Sequence, residues 1–471
     1  MNIKIIILSF LLLLFGKPGL FSQEKLLIQN VTVIPMNTAT SLVNQSVLIS
    51  NGKIEAIASS SKIKTPAGYR IIDGKGKYLV PGLFDMHAHF FQEQYEDNKS
   101  TTKEELGMIL ANGITSARIM AGHPEYLAAK AKLKIGEWEG PEITVASPQL
   151  VGGWPWPAGF KNYEIVNTPQ KATDAVKKFK REGYDAIKIT FMVTRECYDA
   201  IVSTAKEVGI KVVGHVGPKV KLPAALLAGE EIEHMDEFID MLLPDTTYNH
   251  GQSVSDMNIW RKEAWSTVPS LDESKITALV QQVKASGVYV TPTNYFFIST
   301  FGQIPTESEI RSKKDYSYIP AALVNERWKN REHYIHKEVP KESRDRYVYL
   351  RKKMVNELSK AGVPLMAGSD SPEFFLVTGF SIHDELAAFT EAGLSNFSAL
   401  KTATVTPATF LGLKNKGSVE IGKDADLILL DKDPLKDIRN TTSINAVVKN
   451  GKYFDRTKLD AMLASAKAAF Q

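Results

Sequence analysis

Cysteine is all but missing from this sequence: Cys197 is the single one in 471 residues. It cannot form an intrachain disulfide, so stability must come from an apolar core. Net charge is scarce too, a formal +4 over the whole chain. So small an excess gives no electrostatic footing for nucleic acid or an anionic membrane, and the expected partner is a small molecule. The apolar run at the N-terminus, Ile5 to Phe15, is too short for a comfortable membrane span. What is present is ordinary: 44% hydrophobic and 23% charged residues, as in soluble globular proteins. The length suits one large domain with an accessory piece, or about three ordinary domains.

The chain opens MNIKIIILSFLLLLFGKPGLFSQEK. Lys4 precedes the apolar run, Gly16 and Pro18 follow it, and Ser22-Gln23 comes next, the plan of a cleavable secretory signal. Residues 1–22 are therefore set aside as a signal peptide. The expected product is exported, periplasmic or secreted, with no stable membrane insertion after cleavage.

The mature chain begins with short alternating strands, LLIQNVTVIP, SVLISNGKIEAIA and RIIDGKGKYLV. Asn51-Gly52 between apolar runs is a strong hairpin signal. The same texture returns in SVEIGKDADLILLDKD and INAVVKNGKYF, with a second signal at Asn450-Gly451. Residues 23–78 and 413–457 are expected to form one composite β-sandwich domain, followed by a C-terminal helix over 458–471. The middle, 79–412, alternates strands and helices. Strand ends fall at GLFDMHAH, GITSARIM, EITVASP, YDAIKIT, IKVVGHV, EEIEHMD, VYVTPTN and VPLMAGSD. Helical stretches such as TPQKATDAVKKFKREG and TRECYDAIVSTAKEVG each stop at a glycine. Eight strands alternating with helices predict an α/β fold, a (β/α)8 TIM-type barrel, with its site at the C-terminal strand ends. The long connections at about 235–287 and 294–361 are expected over its mouth.

Polar residues cluster at those strand ends. In LVPGLFDMHAHF, His87 and His89 are two apart and share a strand face, Cα atoms about 6.5 to 7 Å apart, close enough to reach one metal ion. Lys188 closes the fourth strand, His215 the fifth, His234 the sixth and Asp370 the eighth. Four histidines and one aspartate from four strands suit a pair of metal ions. An ammonium cannot ligate a metal, but a lysine that has reacted with carbon dioxide is a bridging anion. A lysine paired to an acidic neighbour is the other reading of Lys188.

The residues PGLFDMHAH, GITSAR, DAIKI, GHVG, EIEHMD, PLMAGSDSP, HDELAAFTEAGLS, ALKTATVTPATFLGL and GSVEIGKDADLILLDKDPL run across almost the whole mature chain. In them the sequence resembles the amidohydrolase superfamily, in its imidazolonepropionase-like and Xaa-Pro or Xaa-Arg dipeptidase-like branch. The resemblance implies two divalent metal ions. His87 and His89 would bind the first with Asp370, His215 and His234 the second, and carboxylated Lys188 would bridge both. Zinc suits the histidine-rich set. It implies hydrolysis of a small-molecule amide C–N bond by a metal-bridging hydroxide, with Asp370 as ligand and proton shuttle.

Dipeptidase-like relatives often carry a histidine after a Gly-Gly pair following strand three, and a tyrosine just after the strand-five histidine. Here those places hold Trp154 and Val216. Trp154 and Trp156 are instead expected to form an aromatic wall beside substrate. His123 is a further expected substrate contact at the mouth. His383 is expected to hold a site residue in place, with Ser381 and Asp384 capping its helix. His250 is expected in solvent, and His333 and His336 on one face of a charged surface helix. Cys197 is read as packing. A dipeptidase is the alternative enzyme, and a catalytically silent barrel binding a metal or ligand is the alternative outside enzymes. The sequence leaves assembly open, a homo-oligomer included.

Overall fold

The computed structural model describes residues 24–91, 101–153, 162–190, 192–245 and 262–470. The expected signal peptide, Trp154, Trp156 and His250 lie outside the described residues.

Both chain ends enter one sheet. Its strands are β1 (Leu26–Val33), β2 (Leu42–Ser50), β3 (Lys53–Ser59), β4 (Arg70–Asp73) and β5 (Tyr78–Pro81) from the first end. After a long interval of chain come β15 (Leu427–Leu430), β16 (Ile444–Lys449) and β17 (Lys452–Asp455). The order is β17-β16-β15-β5-β1-β2-β3, with β4 beside β1. Antiparallel β5 and β15 form the seam, Tyr78 opposite Leu430 and Pro81 opposite Leu427. Alternation does the rest. Leu26, Ile28, Val47, Ile49, Leu427 and Leu429 gather in one apolar cluster, while Val80, Ile428 and Leu430 join the main core. The expected sandwich of two facing sheets is not separated out. β1 pairs with β4 through Leu26–Gln29 and with β5 through Thr32 and Val33, so the ladder stays continuous.

The middle contains parallel strands: β6 (Leu83–Ala88), β7 (Ile114–Ile119), β8 (Glu142–Val145), β9 (Gln149–Val151), β10 (Tyr163–Ile165), β11 (Ala186–Ile189), β12 (Lys211–Gly214), β13 (Glu231–Glu233) and β14 (Val290–Thr291). They form two sheets, β6-β7-β8 and β10-β9-β11-β12-β13-β14. An isolated bridge, Ala146 to Ala186, links β8 to β11. The expected eighth strand is not a regular strand. Residues 365–371 bridge to Val290 on one side and Ala88 on the other, with Met86 N to Ala367 O 2.9 Å and Asp370 N to His87 O 2.8 Å. Asp370 takes a positive φ of 56°, which breaks the extended run.

The intervening helices follow their caps. Thr168 accepts from Lys171 N, Pro169 opens the helix Pro169–Glu182, and Gly183 ends it at φ 93°. Thr194 and Gly209 do the same for Arg195–Val208, whose Cys197 is buried. The last helix is Arg456–Ala469, two residues ahead of its expected start. Among the described residues no helix is long and apolar enough to cross a membrane.

Candidate active site

β6 ends in the His-x-His pair. Phe84 and Met86 pack with Met120, Val213 and Met366, leaving Asp85 and His87 on the opposite face. The His87 and His89 rings lie 5.2 Å apart. Asp370 arrives beside them: its Oδ1 is 3.3 Å from His87 Nε2 and 3.6 Å from His89 Nε2. Its Oδ2 faces away, 3.6 Å from His234 Nδ1. His234 stands 4.6 Å from the His87 ring and stacks on His215 at 4.5 Å. Close approach needs Gly368, where a Cβ would fall 2.7 Å from His87 Cβ and 2.5 Å from Thr291 Cγ2.

Several supporting backbones are strained. His234, Met235 and Thr293 take φ of 63°, 58° and 43°, left-handed values that cost roughly 1 kcal/mol or more each. His87, His215 and His234 are held neutral, well below the usual histidine range, by burial first and by nearby cationic groups, Lys188 among them. A neutral imidazole is the form that ligates metal.

Lys188 is 1% exposed, and among the described residues its Nζ has no hydrogen-bond partner. Burial lowers its pKa, against the pull of Glu233 and Asp370. An unpaired buried nitrogen facing that charge set is costly as it stands. His87, His89 and Asp370 offer ligand atoms all within 4.8 Å of one another. The donor set and the orphaned lysine therefore fit an implied metal centre.

A tier of carboxylates that the sequence reading missed supports the histidines. Glu233 Oε2 lies 2.6 Å from His87 Nδ1, and Asp236 Oδ2 2.7 Å from His215 Nδ1. Thr293 Oγ1 meets His234 Nδ1 at 2.8 Å. Buried Arg118 donates to both Glu231 and Glu233 and to Met86 O. Burial, then Glu231, pushes Glu233 well above the usual carboxylate range, with Arg118 opposing. Asp85 accepts from Ser369 Oγ at 2.6 Å and is pushed by burial to about 6. The available signal was charged residues within short strands that the fold must bury, as in EIEHMD and GITSAR.

The other expected residues divide differently. His123 caps the helix Pro124–Lys134, accepting from Glu125 N at 3.3 Å. His383 does not touch the histidine cluster: its ring nitrogens meet Thr441 Oγ1 at 2.9 Å and Asn112 O at 3.1 Å. Phe380, not Ser381 or Asp384, stands at the cap of its helix, because the Ser381 hydroxyl accepts from Val377 N. One turn along, Glu385 binds the amides of Asn294 and Tyr295, next to Thr293. His333 and His336 do not share a helical face, since that helix ends at Tyr334. Val216, which stands where dipeptidase-like relatives often carry a tyrosine, is buried.

Comparison with known proteins bears on the family and the fold. An imidazolonepropionase from Thermoplasma volcanium is 38% identical over 105 residues, 21% of this chain and 25% of that protein. A dihydroorotase from Elusimicrobium minutum is 35% identical over 114 residues, 24% of this chain and 25% of that protein. These matches span about a quarter of those relatives' length. Among solved structures, the bottromycin amidohydrolase superposes with a TM-score of 0.72 at 22% identity, over 95% of this chain and 90% of that one. A Xaa-Pro dipeptidase with bound methionine gives 0.65 at 20%, over 92% and 100%. At such identities the likeness concerns the fold. The model of the amidohydrolase family matches residues 78–453, the stretch that contains every one of these histidines, Lys188 and Asp370, and the chain belongs to that family.

Proposed function

We propose that this chain is an exported, dinuclear metal-dependent hydrolase that cleaves the C–N bond of a small-molecule amide. One observation carries the reading: the unpaired, buried Lys188 nitrogen sits within the electrostatic reach of His87, His215, His234 and Asp370. Family membership and hydrolase-like fold neighbours support it. We read the circuit of parallel pairings, with its two bridged seams, as a closed (β/α)8 barrel whose strand ends supply the site.

His87, His89 and Asp370 would hold one divalent ion and His215 and His234 another, zinc suiting the imidazoles. The Lys188 amine, joined to carbon dioxide with release of a proton, would supply an anionic carbamate to hold them. Bound divalent ions supply a water of lowered pKa and polarise a carbonyl oxygen. Glu233 and Asp236 fix Nδ1 of His87 and His215, leaving each Nε2 for the centre. Asp370, whose two oxygens face different histidines, would accept a proton from the attacking water and return it to the leaving amine.

The test is reconstitution of metal-free full chain with zinc, manganese or cobalt, followed by a panel of N-acyl amino acids, dipeptides and cyclic amides. About two equivalents of metal and chelator-sensitive turnover are expected. Loaded protein that hydrolyses none of them would reject the reading. The same panel decides a second one, a dipeptidase, which the Xaa-Pro dipeptidase fold favours and Val216 opposes. Export is checked by N-terminal sequencing of the mature protein, expected to begin near Gln23.

A further inference from the structure

A cleft opens where the chain after β14 meets the segment following Asp370. It is lined by Tyr295, Ile310, Phe374 and Phe375, together with two cations, Lys313 and Arg331. A run of packed rings joins one wall, at Phe374, to the histidine cluster. Phe297 meets the His234 ring edge-on at 5.7 Å, Phe296 packs between Phe297 and Phe374, and Phe374 follows Asp370 by four residues.

The two cations differ. Lys313 is already engaged, with Tyr295 Oη at 2.6 Å and Asp384 at 3.5 Å. Arg331 is 8% exposed, donates to the Pro305 carbonyl and lies 5.6 Å from the Trp328 ring. No carboxylate of a described residue forms an ion pair with it. A buried guanidinium with no carboxylate of a described residue within ion-pair distance, set among aromatic rings, can receive a carboxylate or similar oxyanion carried on an apolar group. Burial lowers its pKa, with the Glu307 carboxylate opposing.

We propose that this cleft binds the distal end of the substrate, an apolar group ending in a carboxylate, with Arg331 receiving the anion. The inference rests on the hydrolase reading for the site beside it. It also answers a gap there: the polar groups sought after the third and fifth strands are replaced by Trp154 and Val216. The anchor is supplied instead from the insertion after β14.

The experiment titrates 3-phenylpropionate and its neutral counterpart 3-phenylpropanol into metal-loaded full chain by calorimetry. Wild type is compared with Arg331→Met, Arg331→Lys and Thr300→Glu, the last placing a competing carboxylate in the cleft while keeping Arg331. Arg331→Met and Thr300→Glu should each weaken the acid at least about tenfold and leave the alcohol unchanged, and Arg331→Lys should recover part of the loss. Because two variants act by opposite routes, misfolding of one still leaves the other decisive. Equal affinity for the acid in wild type and both variants overturns the proposal, since binding would then be at the metals alone. Turnover separates the two claims. Acid binding at Arg331 without hydrolysis of any amide rejects the hydrolase and keeps the cleft; hydrolysis with KM indifferent to Arg331→Met and Thr300→Glu, for acid-ended and neutral amides alike, rejects the cleft and keeps the hydrolase.

Discussion

His383 sits on a buried helix face, tied to Thr441 and to the Asn112 carbonyl, and burial lowers its pKa from the usual 6.5 to about 4. Between those values the unfolded chain holds a proton that the folded chain lacks. Its contribution is therefore complete above pH 6.5 and is lost as pH falls toward 4. At roughly 1.4 kcal/mol per pH unit of difference, the whole window amounts to about 3 kcal/mol. His383→Gln, which cannot titrate, should flatten chemical denaturation midpoints across pH 4 to 6.5; a variant with the wild-type slope would disprove the assignment. Lys188→Ala should lose metal and activity together, with metal loading of wild type dependent on bicarbonate and a short carboxylic acid restoring part of both in the variant. Retention of two metals and near-normal turnover would remove the bridging role. Glu233→Gln should weaken metal binding about 10- to 100-fold by loosening His87, measured by competition with a chromogenic chelator. At this scale the histidines and Asp370 were legible because each falls at the end of an expected strand, where a barrel gathers its site. Glu233 and Arg118 were not, because alternation alone does not say which face of a doubly buried strand meets the site.

Two Asn-Gly pairs, far apart in sequence, mark the hairpins joining β2 to β3 and β16 to β17, and the tips meet. A Cβ added at Gly451 would lie 2.8 Å from Gly52 Cα, and Gly451 has φ 78°. Gly451→Ala thus meets both a backbone penalty and a collision, and should destabilise by about 1 to 3 kcal/mol. Gly412→Ala, at φ 71° with nothing within 4 Å, isolates the backbone share and should cost less. Equal losses in urea unfolding would mean that the contact between the tips carries nothing. Hairpins and helix caps were readable because they are local chemistry: Thr168 and Gly183 bracket a helix wherever it docks. The segment at 365–371 read as a strand from its apolar run, yet Gly368 and the left-handed Asp370 turn it into a bridged passage. That departure places Asp370 against three histidines, a need of the site that no local propensity encodes.

Joining the sheet made by the chain ends to the parallel strands takes more than apolar contact. Asp426, beside β15, accepts from Lys416 and from Lys449 Nζ at 2.9 Å, and from Asn450 N at 2.7 Å. Lys416 also reaches Glu142 of β8 at 3.2 Å, so one buried lysine connects the sheet to the middle of the chain. Burial alone would raise the Asp426 pKa, but Lys449 and Lys416 hold it below the usual 3.8. Its stabilisation is therefore present above pH 3.8 and lost as pH falls below that value. Removing the anion leaves two buried lysines without it, which costs about 3 to 5 kcal/mol. Asp426→Asn should lower the unfolding temperature, and far-ultraviolet ellipticity and metal release should move together if sheet and strands unfold as one unit. The triple variant Asp426→Leu, Lys416→Met, Lys449→Met removes charge and counter-charge together and should recover most of the loss, because desolvation of the ions disappears with their attraction. Metal release at the wild-type temperature while the sheet melts early would show that the seam couples nothing, and that the parallel strands hold the site without the chain ends.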